Sequence, residues 1–218
     1  ITAGPTREAI DPVRYITNRS SGKMGYAIAS AAAAQGAEVV LVTGPVSIGE
    51  PPGIEVINVE SAEQMYTATH DVISDADIFI AAAAVADYRP AALAEQKIKK
   101  NNELMSLELV RCPDILASVA SLERSPFTMG FAAETENVTD YARGKLQRKN
   151  LDLIIANRVG KNCGFDRDDN TAIALWNDGE KIYPTLSKVD LARELIELTA
   201  EHFYAVLGSE TQPKLTII

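Results

Sequence analysis

The sequence predicts a doubly wound α/β protein built on a mainly parallel sheet. Short, continuously apolar runs recur along its 218 residues, helical patterns separate them, and capping residues mark where the helices start and stop. The chain opens inside a strand and turns at Gly4-Pro5 into a long polar loop carrying Arg7, Glu8, Asp11, Arg14 and Asn18. Ser20-Ser21-Gly22-Lys23-Met24-Gly25 then leads into a small-residue helix at 24–35, closed by Gly36. Further strands are expected at 39–43, 54–59, 77–82, 128–131 and 151–156, and further helices at 62–74, 114–123, 138–149 and 188–207. Ser61 with Gln64, and Ser187 with Asp190, have the spacing of N-caps with a supporting third residue, and Gly208 stands where a C-terminal glycine belongs.

Two stretches break the rhythm. Residues 95–112 join a basic loop to the alternating run LMSLELV, and residues 172–183 form a hairpin turning at Asn177-Asp178-Gly179. Either is an antiparallel arm or flap that covers a site or pairs with a second subunit, or an antiparallel edge added to the sheet. Because unpaired edges are usually covered or paired with another chain, both stretches point to a homodimer.

Length and composition narrow the class. A chain of this size suits one domain, 1–218, which can bury enough surface to fold without disulfides or metal. The chain starts without methionine and within a strand, as a segment of a longer polypeptide would. No apolar run reaches the length of a membrane span, and the formal charge of −9 argues against non-specific nucleic-acid binding. Two cysteines, Cys112 and Cys163, make no framework and suit a reducing, cytoplasmic setting. His70 and His202 lie inside helical patterns and read as structural, and no metal-ligand spacing of Cys and His is present.

The chemistry is concentrated at strand and helix ends. A helix N-terminus following a glycine-containing loop offers free N–H groups to a phosphate or carboxylate, and glycines at 22 and 25 would let the backbone approach that anion. A P-loop is excluded, since Thr17 stands where its first glycine belongs and Met24 where it needs Ser or Thr. The dinucleotide fingerprint fails as well, because the second strand ends in Thr43-Gly44-Pro45 without an acidic residue. The alanines at 81–84 leave room at a strand's carboxyl end, and Asp87 beyond them could hold Mg²⁺ on a polyphosphate or merely cap a turn. Lys145 and Lys149 share a helix face, where they could neutralise phosphate or simply answer the helix dipole. Phe131 could flank a nucleobase or lie in the core. These residue types describe anion and nucleotide handling rather than hydrolysis or redox chemistry.

Taken in order, TAGPTRE…DPVR, N-x-SSGKMG, AAVADY, KIKK, PDIL, GFAAET, YARxKxxRKNLD and GF…DxN resemble the motifs of the phosphopantothenoylcysteine synthetases. The resemblance is to the C-terminal synthetase half of the bacterial bifunctional decarboxylase–synthetases, and it covers nearly the whole chain. It implies a Rossmann-like fold and a cytoplasmic ligase of coenzyme A biosynthesis. In such a ligase the carboxylate of 4′-phosphopantothenate attacks the α-phosphate of CTP, and the amine of L-cysteine then attacks the acyl-cytidylate. It further implies Mg²⁺ with the nucleotide, an upstream decarboxylase domain carrying FMN, and a homodimer. Carried over by motif, Asn18 and Lys97 are the catalytic residues, and Arg14, Asn18, Ala83 and Ala84 hold the phosphopantothenoyl part. The CTP site comprises Ala81, Ala82, Ala83, Asp87, Lys97, the segment Pro113-Asp114-Ile115-Leu116, Phe131, Lys145 and Lys149, with Asp87 toward the metal. On this reading the Asn18 amide would donate to the carbonyl oxygen of the acyl-cytidylate. The chain departs from the family at Cys112, where asparagine is usual. Competing readings are an ATP-dependent synthetase, a catalytically silent nucleotide-binding subunit of the same fold, and a short-chain reductase.

Overall fold

A computed structural model describes residues 1–100, 103–134, 136–158 and 168–208, with backbone alone at 158. The first half of the chain gives β1 (Thr2–Ala3), β2 (Arg7–Ala9), β3 (Tyr15–Thr17), α1 (Lys23–Ala34), β4 (Val40–Thr43), β5 (Glu55–Asn58), α2 (Ala62–Val72) and β6 (Ile78–Ala81). The remainder gives β7 (Tyr88–Pro90), β8 (Leu109–Arg111), α3 (Ile115–Ala120), β9 (Phe127–Glu134), α4 (Val138–Arg148), β10 (Leu153–Arg158), β11 (Asp169–Trp176), β12 (Gly179–Ser187) and α5 (Lys188–Leu207).

The apolar runs become one eight-stranded sheet in the order β5-β4-β1-β6-β9-β10-β11-β12. Its first six strands are parallel, and β11 and β12 continue it antiparallel. The order runs outward from β1 in both directions, which is the doubly wound, Rossmann-like arrangement, with its reversal between β1 and β6. Alternate residues of each strand feed two cores. Leu41, Met129, Leu153 and Ile155 pack beneath α1 and α5 with Tyr26, Ile28, Leu191 and Leu195. Val42, Phe79, Ile154 and Ala156 pack beneath α2, α3 and α4 with Met65, Val119 and Leu146. Burial on both faces is why these strands read as continuous apolar runs.

The capping signals hold. Ser61 accepts from the Gln64 N–H while the Gln64 side chain accepts from the Ser61 N–H, and Ser187 accepts from the Asp190 N–H at 3.0 Å. Glycines 22 and 25 each meet a structural demand as well. Gly22 takes a φ of 77° before α1, and a Cβ on Gly25 would stand 2.6 Å from the Ala3 Cβ. They serve a left-handed entry and the close seating of helix on strand.

Both off-rhythm stretches differ from a free arm. The hairpin is larger than 172–183: β11 and β12 span Asp169–Ser187 and β11 pairs with β10, so it is an edge of the main sheet and not a separate flap. Among the described residues of 95–112 only Leu109–Arg111 is strand, and it pairs with Tyr88–Pro90. The polar loop after β1 also contains an unexpected hairpin, β2–β3. Its charged residues masked a three-residue alternation too short to register as a strand.

Candidate active site

The loops following β1 and β6 diverge at the reversal of the sheet, leaving a cleft of about 990 Å³ beyond the carboxyl ends of the strands. One side is the 18–25 segment entering α1, another is 81–88 after β6, and the floor is 111–116 together with Phe131, Lys145 and Lys149.

Asn18 stands on the rim between the first two walls. Its Nδ2 donates to the carbonyls of Ala84 at 3.0 Å and Val85 at 3.1 Å, stitching the two loops together. Both amide hydrogens are therefore used within the protein, and the oxygen, an acceptor, is what remains for a ligand. The loop is pinned further by the Ala86 N–H on Thr6 Oγ1 and the Ala84 N–H on the Gly4 carbonyl. Ala81 to Ala84 present little more than backbone and methyl groups to the cleft, and Asp87 is exposed at its mouth.

The floor is cationic. The Lys149 ammonium lies 2.6 Å from the Asp114 carboxylate, which also caps α3 by accepting from the Ala117 N–H at 3.1 Å. Partial burial pushes Asp114 up, but the Lys149 hydrogen bond and the cap outweigh it, and its pKa falls below the ordinary value. Lys145 donates to the Phe131 carbonyl at 3.1 Å. Burial first, then the neighbouring charge of Lys149, lowers its pKa. Cys112 lies on the same floor. Burial foremost pushes its thiol up to about 11, so it is a poor nucleophile at neutral pH.

Asn18, Ala81, Ala82, Ala83, Ala84, Asp87, the Pro113–Leu116 segment, Phe131, Lys145 and Lys149 thus line one cleft. Arg14 and Lys97 are not among its lining residues. Arg14 is taken up by Asp11, and Lys97 is exposed on a segment held against the β2–β3 hairpin. The sequence reading missed Asn157, Asn170 and Lys188 at the far end of the cleft. Asn170 belongs to the GF…DxN motif, of which 164–167 lie outside the described residues; Asn157 ends a parallel strand, and Lys188 follows an N-cap, so position relative to the sheet was their available signal. His70 is structural: its Nε2 meets Ser118 Oγ at 2.9 Å and its ring stacks on Tyr66, joining α2 to α3.

Among the described residues no group of three or more His, Cys, Asp or Glu could cage a metal. A single exposed carboxylate at the mouth nonetheless fits Mg²⁺ carried on a nucleotide, which needs one or two carboxylates beside phosphates and water. No helix of the described residues is long and apolar enough to cross a membrane.

Fold and cleft together define a Rossmann-like domain with an open cleft at its switch point. The chain belongs to the family of DNA/pantothenate metabolism flavoprotein C-terminal domains, whose model matches residues 1–203. It is 56% identical over 201 residues to the coenzyme A biosynthesis bifunctional protein CoaBC of Vibrio vulnificus strain CMCP6, covering 90% of this chain and 50% of that protein. The chain thus spans about half the length of the curated relatives it matches. Its structure is similar to the crystal structure of the C-terminal domain of a CoaBC protein, with a TM-score of 0.80, 40% identity and 94% of each chain covered. A likeness of fold alone extends to a Cab2 mutant in complex with phosphopantothenate-cysteine, with a TM-score of 0.74, 17% identity, and coverage of 96% of this chain and 87% of that one.

Proposed function

We propose that this domain is a CTP-dependent phosphopantothenate–cysteine ligase of coenzyme A biosynthesis. The supporting observation is the convergence of Asn18, Asp87, Lys145 and Lys149 with the N-terminus of α1 on one cleft at the switch point. In the first step a carboxylate oxygen of 4′-phosphopantothenate attacks the α-phosphorus of CTP, the bond to the bridging oxygen breaks, and pyrophosphate leaves. In the second, the cysteine amine attacks the acyl carbon, loses a proton and expels CMP, leaving an amide.

Each step asks something these residues supply. Lys145 and Lys149 neutralise nucleotide phosphate on the floor, and the α1 N-terminus receives an anionic group. Asn18 holds the 82–85 backbone against the substrate and turns its oxygen toward the attacking amine. Mg²⁺ on the triphosphate, beside Asp87, would offset the charge of the departing pyrophosphate. Arg14 toward the phosphopantothenoyl group and Lys97 toward the triphosphate remain proposals. The decisive measurement is turnover with 4′-phosphopantothenate, L-cysteine and Mg²⁺, scoring CMP against AMP. Product with CTP is expected; equal use of ATP would overturn the nucleotide assignment, and no turnover with either would favour a silent subunit.

We also propose a homodimer, with the upstream FMN-dependent decarboxylase half of such bifunctional proteins as its covalent partner. The support is the set of exposed apolar side chains at Leu93, Leu104, Met105 and Leu109, together with Val13, Tyr15 and Tyr88 on β2–β3 and β7. So much apolar surface fits an interface. Sedimentation should give a dimer at micromolar concentration, and a monomer there would remove the proposal.

A further inference from the structure

Asp11 is the most completely engaged carboxylate in the loop after β1, yet it lines no part of the cleft. Its side chain is fully enclosed. Oδ1 accepts the Val13 and Arg14 N–H groups, each at 2.9 Å, which closes the turn between β2 and β3. Oδ2 accepts Arg14 Nε at 3.0 Å and Arg14 Nη2 at 2.5 Å. The same Oδ2 reaches across 87 positions of sequence to accept the Ile98 N–H at 3.1 Å.

Arg14 completes the arrangement from the other side, because its Nη2 also donates to the Ile98 carbonyl at 3.2 Å. The Ile98 residue is therefore gripped at both of its backbone polar groups by one ion pair, whose carboxylate is enclosed and whose arginine is partly exposed. A second tie, from the Ala94 N–H to the Ile10 carbonyl at 3.1 Å, runs alongside. Between these ties the segment is exposed and contains no regular secondary structure. Lys97 sits directly before the gripped residue. Its placement therefore depends on the Asp11–Arg14 pair rather than on helix or strand geometry.

We propose that Asp11 is a positioning residue of the ligase reaction: through Arg14 and the Ile98 backbone it clamps the segment that carries Lys97, making Arg14 and Lys97 parts of one unit. A buried carboxylate is suited to this task. Its bonds are charge-assisted and therefore strong and directional, whereas a neutral side chain would release the segment. The inference rests on the ligase reading for the task given to Lys97, but the clamp itself can be measured without substrate.

The test compares the full chain with Asp11→Asn and, as a variant that leaves the ion pair whole, Ile98→Pro, which deletes only the Ile98 N–H donated to Asp11. Brief trypsin treatment is followed by mass spectrometry of the cuts at Lys99 and Lys100, with the cut at Arg193 on α5 as the control for global unfolding. Both variants should be cut roughly tenfold faster or more at 99–100, the fold-change matching loss of a hydrogen bond to a charged group, with Arg193 unchanged. In ligase turnover Asp11→Asn should lower kcat, and adding Lys97→Gln should lower it little further, as coupled positions behave. Unchanged cutting in both variants, or strictly multiplicative losses from Asp11→Asn and Lys97→Gln, would overturn the proposal. Should the parent chain join no substrates with either nucleotide, the ligase reading falls, and the cutting rates alone still support or overturn the clamp.

Discussion

Lys149 and Asp114 meet at 2.6 Å, so the C-terminal end of α4 is tied to the first turn of α3 across the floor of the cleft. Half of the Asp114 side chain is exposed, which limits what the pair adds to stability to about 0–1 kcal/mol. Lys149→Met should accordingly raise the KM for CTP well before it lowers Tm. The pair also has a pH signature. Asp114 titrates below the ordinary carboxylate value, so its contribution is complete above that value and is lost as pH falls through its folded pKa. Without Lys149 that loss begins at higher pH, and acid unfolding of the variant should start earlier.

Lys145 gives the opposite limb. Burial and Lys149 lower its pKa, so its charge disappears at a pH below the ordinary lysine value of 10.5. CTP affinity should decline on the alkaline side before an exposed lysine would lose its proton. Lys145→Arg keeps its charge throughout and should move the decline upward, as a KM profile against pH would record.

Asn18 and Lys97 should fail differently. Asn18→Asp sets a carboxylate oxygen about 3 Å from two carbonyl oxygens that now receive hydrogen bonds. It thereby forces the 82–85 wall outward and replaces the neutral amide near the amine. Pyrophosphate release should outlast CMP formation, with acyl-cytidylate accumulating and overall turnover falling by roughly a hundredfold as the displaced wall loses its alignment. Lys97→Gln should slow pyrophosphate release and leave little intermediate. A quench assay that finds both variants stalled at one step, with equal intermediate, would refute the division of labour.

Gly25→Ala tests how closely α1 sits on β1. With the new methyl 2.6 Å from the Ala3 Cβ, helix or strand must shift, at a cost of about 1–3 kcal/mol. Thermal melting should show the loss. Because the same helix opens onto the cleft, the KM for phosphopantothenate should rise with it.

Much of this was legible in the sequence because buried parallel strands and capped helices declare themselves locally. Ser61 with Gln64 and the run at 151–156 needed no knowledge of their neighbours. The cleft was legible for a related reason, since its residues stand at strand ends that the fold class brings together. What escaped depends on partners distant in the chain. The strand at 15–17 is visible only once 7–9 pairs with it, and the tasks of Asp11 and Arg14 only once residue 98 arrives. The run at 104–110 alternates like a strand, yet only Leu109–Arg111 finds a partner. Hydrophobic period cannot say whether a neighbouring edge is available.

β1 is the strand that joins the two halves of the sheet, with Thr2 in register with Val42 on one side and Ala81 on the other. Neither alignment can form until segments separated by some forty and eighty positions meet, so the entropy of closing each loop is lost before its pairing rewards it. Folding should therefore be slow for a chain of this helix content, with the final docking of β1 as the cooperative event. Amide exchange should show the centre of the sheet opening only with the whole molecule. The walls of the cleft, one leading into α1 against β1 and the other leaving β6, would then acquire their shape in the last step of folding.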